Sequence, residues 1–526
     1  MTHITRKFIA AAFVSTILSV SAHAATLNIH NGGDPTSLDP QKISGDWENR
    51  IDGDIFEGLV TEDPKDNPIP GQAASWTISP DQKVYTFKLR DGIKWSDGQP
   101  VTAQDFVFAF QRLMDPKTAA QYAYLQYTIH NAEKINKGEI KDLTQLGVKA
   151  IDDKTLEITL ENPTPYFLNA LMHYTAYPLP KHVVEAKGDQ WVKIGNIVTN
   201  GPYKPTEWVP GSHVSMVKSD QYYDAKDVKI DKVNYYTLED QAAALKRYRA
   251  GEFDILTSFP ADQYDWIQKN LPGQAHVVPF LGTYYYVMNA TKPPFNDKRV
   301  RQALSMAVNR EVIGPKILGT GELPMYSWVP PGTANYGEPA YVSWKDEPYK
   351  QKVEEAKKLL KEAGFGPDHP LKAQLRYNTN DNHKRIAVAI AAMWKPLGVD
   401  IELYNTETKV HYDEMQRGEV QIGRAGWLAD YNDPINFLNL LSTGVEMNYG
   451  RWSNKDYDAL IKQGNEEIDL KKRAEIYKKA EQLALDDSAA IPIYYYVSQN
   501  IVAPKVQGFV DNIQDIHRTR WLSIKE

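Results

Sequence analysis

The chain has 526 residues, enough for two or three compact bodies at roughly 100–200 residues each. Hydrophobic residues make up 42% and charged residues 24%, an ordinary globular balance, and a formal net charge of −7 argues against the broad basic face of a nucleic-acid binder. With no cysteine, the chain cannot carry a disulfide, a cysteine metal site, a thiol nucleophile or a lipid-anchored cysteine.

Residues 1–24 hold Arg6 and Lys7, an apolar run over 8–20 and the string Ala22-His23-Ala24, which together have the form of a cleaved export signal. The run falls short of the roughly 20 residues that span a bilayer. A mature chain starting near Ala25 is therefore expected outside the cytoplasm, and without a lipid anchor its retention points to a periplasm. Residues 83–90 alternate with period two and predict a half-buried strand, followed by a turn at Trp95-Ser96-Asp97-Gly98. Thr102 with Asp105 predicts a helix start leading into the run 106–113. Leu156, Ile158 and Leu160 predict another strand, and Pro293-Pro294 precedes a predicted helix over 297–308. Residues 352–363 predict an amphipathic helix stopped by Gly364, and 470–486 repeat the pattern before a buried strand over 491–496. Strands and helices alternate throughout, which is the pattern of an α/β or α+β protein. Tyrosine is abundant, 31 residues against 15 Phe, and suits both half-buried sheets and binding surfaces.

A search for reactive motifs finds no H-E-x-x-H pair, no G-x-S-x-G elbow and no Walker A loop, and Gly319-Thr320-Gly321 lacks the third glycine of a dinucleotide loop. The acid pairs Asp152-Asp153 and Asp486-Asp487 read as solvated surface. No cofactor and no enzymatic activity are expected; a secreted hydrolase, the rival from another class, lacks a nucleophile–base motif.

Several segments, in order, resemble one family. They are Gly71-Gln72-Ala73-Ala74-Ser75-Trp76, the strand 83–90, Lys94-Trp95-Ser96-Asp97-Gly98, Val101-Thr102-Ala103-Gln104-Asp105-Phe106, Thr199-Asn200-Gly201-Pro202-Tyr203, Tyr284-Tyr285-Tyr286 with 292–297, and 491–496. The resemblance is to family 5 of the bacterial extracellular solute-binding proteins, the large peptide- and nickel-binding class, and covers essentially the whole mature chain. It implies a two-lobed clamp with an additional domain on the first lobe. The divisions implied are 25–56, 180–281 and 498–526 for lobe I, 57–179 for the additional domain and 282–497 for lobe II, with a hinge near 280 and 498. It also implies a monomeric receptor of an ABC importer, which captures a short peptide and delivers it to membrane permease subunits without inserting into the membrane itself. The same fold can host a murein peptide, a bile acid, haem, an oligosaccharide or a nickel chelate.

Within the family, the segment from Arg424-Ala425-Gly426-Trp427 through Asp430 to Pro434 resembles the oligopeptide-binding branch. The resemblance implies that Asp430 receives a peptide's α-amino group; the alternative is a carboxylate capping the turn before Asn432 and Pro434. It implies that Tyr122 lies along the peptide backbone, with Tyr124 as competitor. Asn378 and His383 match a pocket-lining loop, where His383 is alternatively an exposed loop histidine. Arg424 matches a partner of the C-terminal carboxylate; the alternative is an internal ion pair. Gly426 belongs to the same motif, and Trp427 and Tyr285 are candidates for pocket walls or for core. The chain also departs from the branch. A cysteine pair there corresponds to Gly282 and Leu428, basic groups to Leu318 and Met415, and an acid to Ser44. Arg417, close to Met415, is a candidate replacement. The implied pocket is less charged than its relatives'.

Overall fold

The computed structural model describes residues 24–525, so the expected export signal, apart from Ala24, lies outside the described residues. In chain order come β1 (Thr26–Gly32), α1 (Asp46–Ile55), β2 (Ala73–Ile78), β3 (Val84–Leu89), α2 (Ala103–Met114), β4 (Val148–Asp152), β5 (Thr155–Thr159), β6 (Tyr203–Val209), β7 (His213–Lys218), β8 (Lys232–Thr237), β9 (Ile255–Leu256), β10 (Ala275–His276) and β11 (Pro279–Met288). Then follow β12 (Leu323–Pro324), α3 (Tyr349–Glu362), β13 (Leu371–Asn378), α4 (Asp381–Trp394), β14 (Val399–Thr406), β15 (Ile422–Leu428), α5 (Leu470–Asp486), β16 (Ile491–Val497) and β17 (Asn500–Val502).

Local chemistry explains these elements. Alternation turns Tyr85, Phe87 and Leu89 inward along β3. At the start of α2, the Asp105 carboxylate accepts from the Thr102 backbone N–H at 2.9 Å and its hydroxyl at 3.1 Å, closing the expected box. α3 starts at Tyr349, earlier than its amphipathic pattern, and ends before Gly364, which takes a left-handed φ of 89°. α5 occupies the expected 470–486, with Asp469 capping it by accepting from the Lys471 and Lys472 N–H groups.

Three sheets carry the molecule. A seven-stranded sheet has the order β10-β17-β9-β1-β8-β7-β6, with β1 parallel to both its neighbours. A six-stranded sheet has the order β12-β16-β11-β15-β13-β14. The antiparallel sheet β2-β3-β5-β4 stands apart. One hydrophobic core gathers residues from Leu281 to Tyr495 around the six-stranded sheet. Another runs without a break from the seven-stranded to the four-stranded sheet, so the additional domain is fused to the first lobe through shared core. The chain passes between the two bodies at β10–β11 and β16–β17, and the Ser498 N–H donates to the Val278 carbonyl at 2.9 Å across the two passages. Two short, paired crossings between separate cores make a two-lobed clamp with hinge geometry. The lobes touch: Tyr166 and Tyr431 stack at 4.7 Å with planes 2° apart, and the Gln514 side-chain amide donates to the Ala429 carbonyl at 3.2 Å. Among the described residues, no helix is long and apolar enough to cross a membrane.

Candidate ligand-binding cleft

The second-lobe wall of the cleft is β15. It pairs with β11 along its length, setting Tyr286 opposite Arg424, Tyr284 opposite Gly426 and Gly282 opposite Leu428. β13 accompanies it only at Ile422 and Gly423, so its edge beyond Gly423 has no strand beside it among the described residues. Directly opposed residues share a face. Arg424 therefore lies on one face with Tyr284, and through the Tyr284–Tyr494 pair of β11 and β16 that face also holds Tyr494 and Tyr496.

Arg424 is 7% exposed. Its guanidinium donates to Asn378 Oδ1 at 3.1 Å, the Tyr412 hydroxyl at 3.2 Å and the Tyr496 hydroxyl at 2.7 Å, and its Cζ lies 4.7 Å from the Tyr284 ring centre. Every one of these partners is neutral. Nε has no hydrogen-bond partner, and no carboxylate among the described residues pairs with Arg424. The internal ion pair considered from the sequence is absent, leaving a buried cation with its acceptors aligned but its charge uncompensated. Gly426 is required by space: a Cβ there would meet Arg424 Nη2 and the Tyr496 hydroxyl, each at 2.9 Å. His383, in the first turn of α4, contacts the Tyr284 hydroxyl through Nδ1 at 3.4 Å. Burial first, then the positive charge of Arg424, pushes its pKa down to about 2, so it is a neutral imidazole.

Asp430 follows β15 on the loop that leads to Pro434. It is half-buried, and the Tyr124 hydroxyl donates to Oδ2 at a long 3.4 Å. Burial first, then the charge of Asp46, pushes its pKa up to about 7, while hydrogen bonds from Asn436 and Tyr124 oppose the shift. Glu481 makes a useful contrast. It too is pushed up to about 7 by burial, yet it is saturated by the Trp328, Val329 and Ala340 N–H groups and the Tyr336 hydroxyl, all within 2.8 Å. Glu481 holds a loop together; Asp430 has room for a donor and no cation beside it.

The remaining candidates divide. Trp427 is half-buried and donates from Nε1 to Asn436 Oδ1 at 2.6 Å, so it braces the amide that also bonds Asp430. The hydroxyl in contact with Asp430 belongs to Tyr124, whereas Tyr122 stacks between Tyr124 at 5.6 Å and His173 at 5.7 Å. Tyr285 is core: it is 2% exposed and meets Trp328 edge-on at 4.7 Å. Leu428 fills the place opposite Gly282, where a Cβ would lie 2.7 Å from it. Leu318 and Met415 are buried, and Arg417 is exposed and paired with Glu419 at 2.9 Å, so it adds no charge to this site. Sequence reasoning missed Tyr284, Tyr412, Tyr496 and Asn436 as supports. The signal for two of them was present, since period two places 284 and 496 on the faces opposite to 285 and 495.

A closed two-lobed clamp with unpaired charges of opposite sign at β15 and the loop beyond it defines a solute-binding receptor. The chain belongs to the bacterial extracellular solute-binding proteins, family 5, whose family model (Middle) matches residues 67–449. It is 43% identical to the periplasmic oligopeptide-binding protein OppA of Salmonella typhimurium, over 98% of this chain and 98% of that protein. The structure of the Escherichia coli murein tripeptide binding protein MppA matches with a TM-score of 0.86 at 40% identity, over 96% of this chain and 99% of that one. That of Haemophilus influenzae OppA in complex with RPPGFSPFR matches with a TM-score of 0.85 at 38% identity, over 95% and 99%.

Proposed function

We propose that this protein is the periplasmic receptor of an ABC importer, working as a monomer that closes on a short peptide and delivers it to membrane permease subunits. In this reading residues 1–24 are removed on export. The lobes divide at 25–56, 180–281 and 498–526 against 282–497, with 57–179 as the additional domain. The observation that carries it is the pair of uncompensated charges: Asp430 without a cation and Arg424 without an anion, on one continuous segment of chain. A peptide supplies an ammonium and a carboxylate at its two ends, whatever its sequence. The uncovered edge of β15 beyond Gly423 offers backbone groups for a strand-like ladder to the peptide main chain. Closure is then a shift toward the form in which both ends are satisfied.

The test is native mass spectrometry of protein purified gently from its periplasm, with sequencing of what it releases, followed by calorimetry with Ala-Ala-Ala and its N-acetylated form. Adducts that sequence as short peptides, and an acetylated form bound at least about a hundredfold more weakly, are expected, because a buried carboxylate then loses its cation. A single non-peptide mass, or indifference to acetylation, overturns the reading. Buried Leu318 and Met415, where the branch carries basic groups, favour a second reading in which the ligand is a narrower solute such as a murein peptide; the released mass distinguishes the two.

A further inference from the structure

Besides the two chain crossings, a third link joins the lobes without covalent continuity. Residues 511–517 form a turn without helix or strand, fastened at both ends to the first-lobe body. At one end buried Asn512 closes the turn on itself. Its Oδ1 accepts from the Gln514 and Ile516 N–H groups at 3.2 and 3.1 Å, and its Nδ2 donates to the Ile516 carbonyl at 2.8 Å and the Pro64 carbonyl at 3.3 Å. At the other end Asp515 takes a left-handed φ of 56°, a conformation that needs its surroundings to hold it. Its Oδ1 accepts from Asn500 Nδ2 on β17 at 2.6 Å and lies 2.9 Å from His517 Nε2. The two residues between these fastenings meet the second lobe. The Ile513 carbonyl accepts from the Leu281 N–H at 2.8 Å, and its side chain packs against the second-lobe core. Gln514, buried at 9% exposed, donates from Nε2 to the Ala429 carbonyl at 3.2 Å.

Ala429 immediately precedes Asp430. Its N–H donates to the Leu281 carbonyl at 2.8 Å, and among the described residues no group but Gln514 donates to its carbonyl. A peptide unit is planar, so holding the Ala429 carbonyl fixes the plane that carries the Asp430 Cα. Asp430 needs that help, because its own contact with the Tyr124 hydroxyl is a long 3.4 Å. A backbone carbonyl deprived of its donor turns its peptide plane to find another, and the side chain that follows swings with it. Taking the cleft as a peptide site, as proposed above, we infer that Gln514 is a positioning residue: through the Ala429 carbonyl it aims Asp430 at the amine of the ligand. The anchor belongs to the second lobe and its aim is set from the first, so the ligand's amine is held well only while the 511–517 turn is docked.

The test is calorimetry with Ala-Ala-Ala, its N-acetylated form and its C-terminal amide, on the wild type and on Gln514→Met. Methionine keeps the length and the packing of glutamine but has no donor. Affinity for Ala-Ala-Ala should fall about tenfold, the scale of a buried acceptor left without its hydrogen bond. The acetylated peptide offers Asp430 no cation, so its affinity should fall by less than about twofold and the penalty for acetylation should shrink accordingly. The penalty for amidation, which is read at the Arg424 end, should stay as it is in the wild type. Gln514→Asn keeps an amide but is one methylene too short to reach the Ala429 carbonyl; it serves if the first variant folds poorly and should give the same split. Equal losses for the free and the acetylated peptide would make Gln514 a brace of the clamp, and unchanged affinities would give it no role in binding; either result overturns the inference and leaves the peptide reading standing. Failure of every peptide to bind the wild type overturns both.

Discussion

At the Arg424 end of the cleft every support comes from the second lobe: Asn378 closing β13, Tyr412, Tyr496 on β16 and the face of Tyr284 on β11. At the Asp430 end the supports come from both sides of the cleft, with Asn436 from the second lobe and the Tyr124 hydroxyl from the opposite side. In the proposed reading the carboxylate end is complete within the second lobe before the clamp moves, with Tyr412 supplied by the helix Thr408–Gln416 beside the sheet, whereas the amine end is assembled by closure. That reading has a ligand bearing both termini dock first on the preformed half and then stabilise the shut form through the other. Preorganisation lowers the ordering cost at one end, and the contact made only on closing supplies the coupling at the other.

The sharpest break of this contrast is Arg424→Met. Removing one partner of a buried charge pair costs about 3–5 kcal/mol, so the affinity for Ala-Ala-Ala should fall at least about a hundredfold. The charge has no anion in the empty protein, so the melting temperature of the ligand-free form should stay within about 3 °C of the wild type. Calorimetry and thermal unfolding read the two effects, and a large loss of stability without ligand would make Arg424 a fold residue instead. Gly426→Ala attacks the same end more gently. Its methyl group meets Arg424 Nη2 and the Tyr496 hydroxyl at 2.9 Å and must displace the guanidinium, so affinity should fall about tenfold for a free peptide. A C-terminally amidated peptide, which never uses the guanidinium, should be affected far less.

The amine end should show itself in pH dependence. The Asp430 carboxyl of the empty site sits at about 7, raised by burial and the Asp46 charge. An ammonium beside it lowers that value, so the complex holds fewer protons than the separate partners. Affinity for Ala-Ala-Ala should therefore fall as pH drops through 7, approaching tenfold per unit. It should level off above 7, until the peptide amine begins to deprotonate near 8. Asp430→Asn should bind weakly and with a flat profile between pH 5.5 and about 7. A wild-type profile that rises toward acid would contradict an ionised Asp430 as the anchor.

Much of this site was legible in the sequence wherever local patterning governs. The strand over 83–90, the box at Thr102 and Asp105 and the helix over 470–486 follow from spacing alone, and Asp430 and Arg424 were singled out because a whole segment, not one residue, carries the resemblance. What escaped is set by pairing between distant strands. Tyr284 and Tyr496 reach Arg424 because β11 pairs with both β15 and β16; the period-two alternation gives their face, but only that pairing gives their partner. Tyr285, open between pocket wall and core from the sequence, lies in the core, since a one-residue step along a strand moves a side chain to the opposite face. The choice between Tyr122 and Tyr124 fell on a short 3-10 turn over Ala123–Gln126, where neither strand nor helix period decides which ring points to the cleft.

The smallest expected effect probes closure itself. Tyr166 of the additional domain stacks on Tyr431 of the second lobe, and the Arg473 guanidinium lies 5.6 Å from the Tyr166 ring centre. Arg473 is in turn locked to Asp433 by two bonds of 2.7 and 2.8 Å. Tyr431 and Asp433 flank Asn432 on the loop that carries Asp430, so the clasp and the amine anchor move as one piece. An aromatic pair adds about 0.5–1.5 kcal/mol beyond its buried area. If that energy exists only in the shut clamp, Tyr166→Ala should speed peptide release about fivefold with little change in the association rate, because the ring touches no group at the Arg424 end where docking begins. Tyr166→Phe keeps the ring and should release peptide at close to the wild-type rate. Stopped-flow displacement of a fluorescent peptide measures both rates. Slower association in Tyr166→Ala with release unchanged would mean that the clasp forms before the ligand docks, and the amine end would then be as preformed as the carboxylate end.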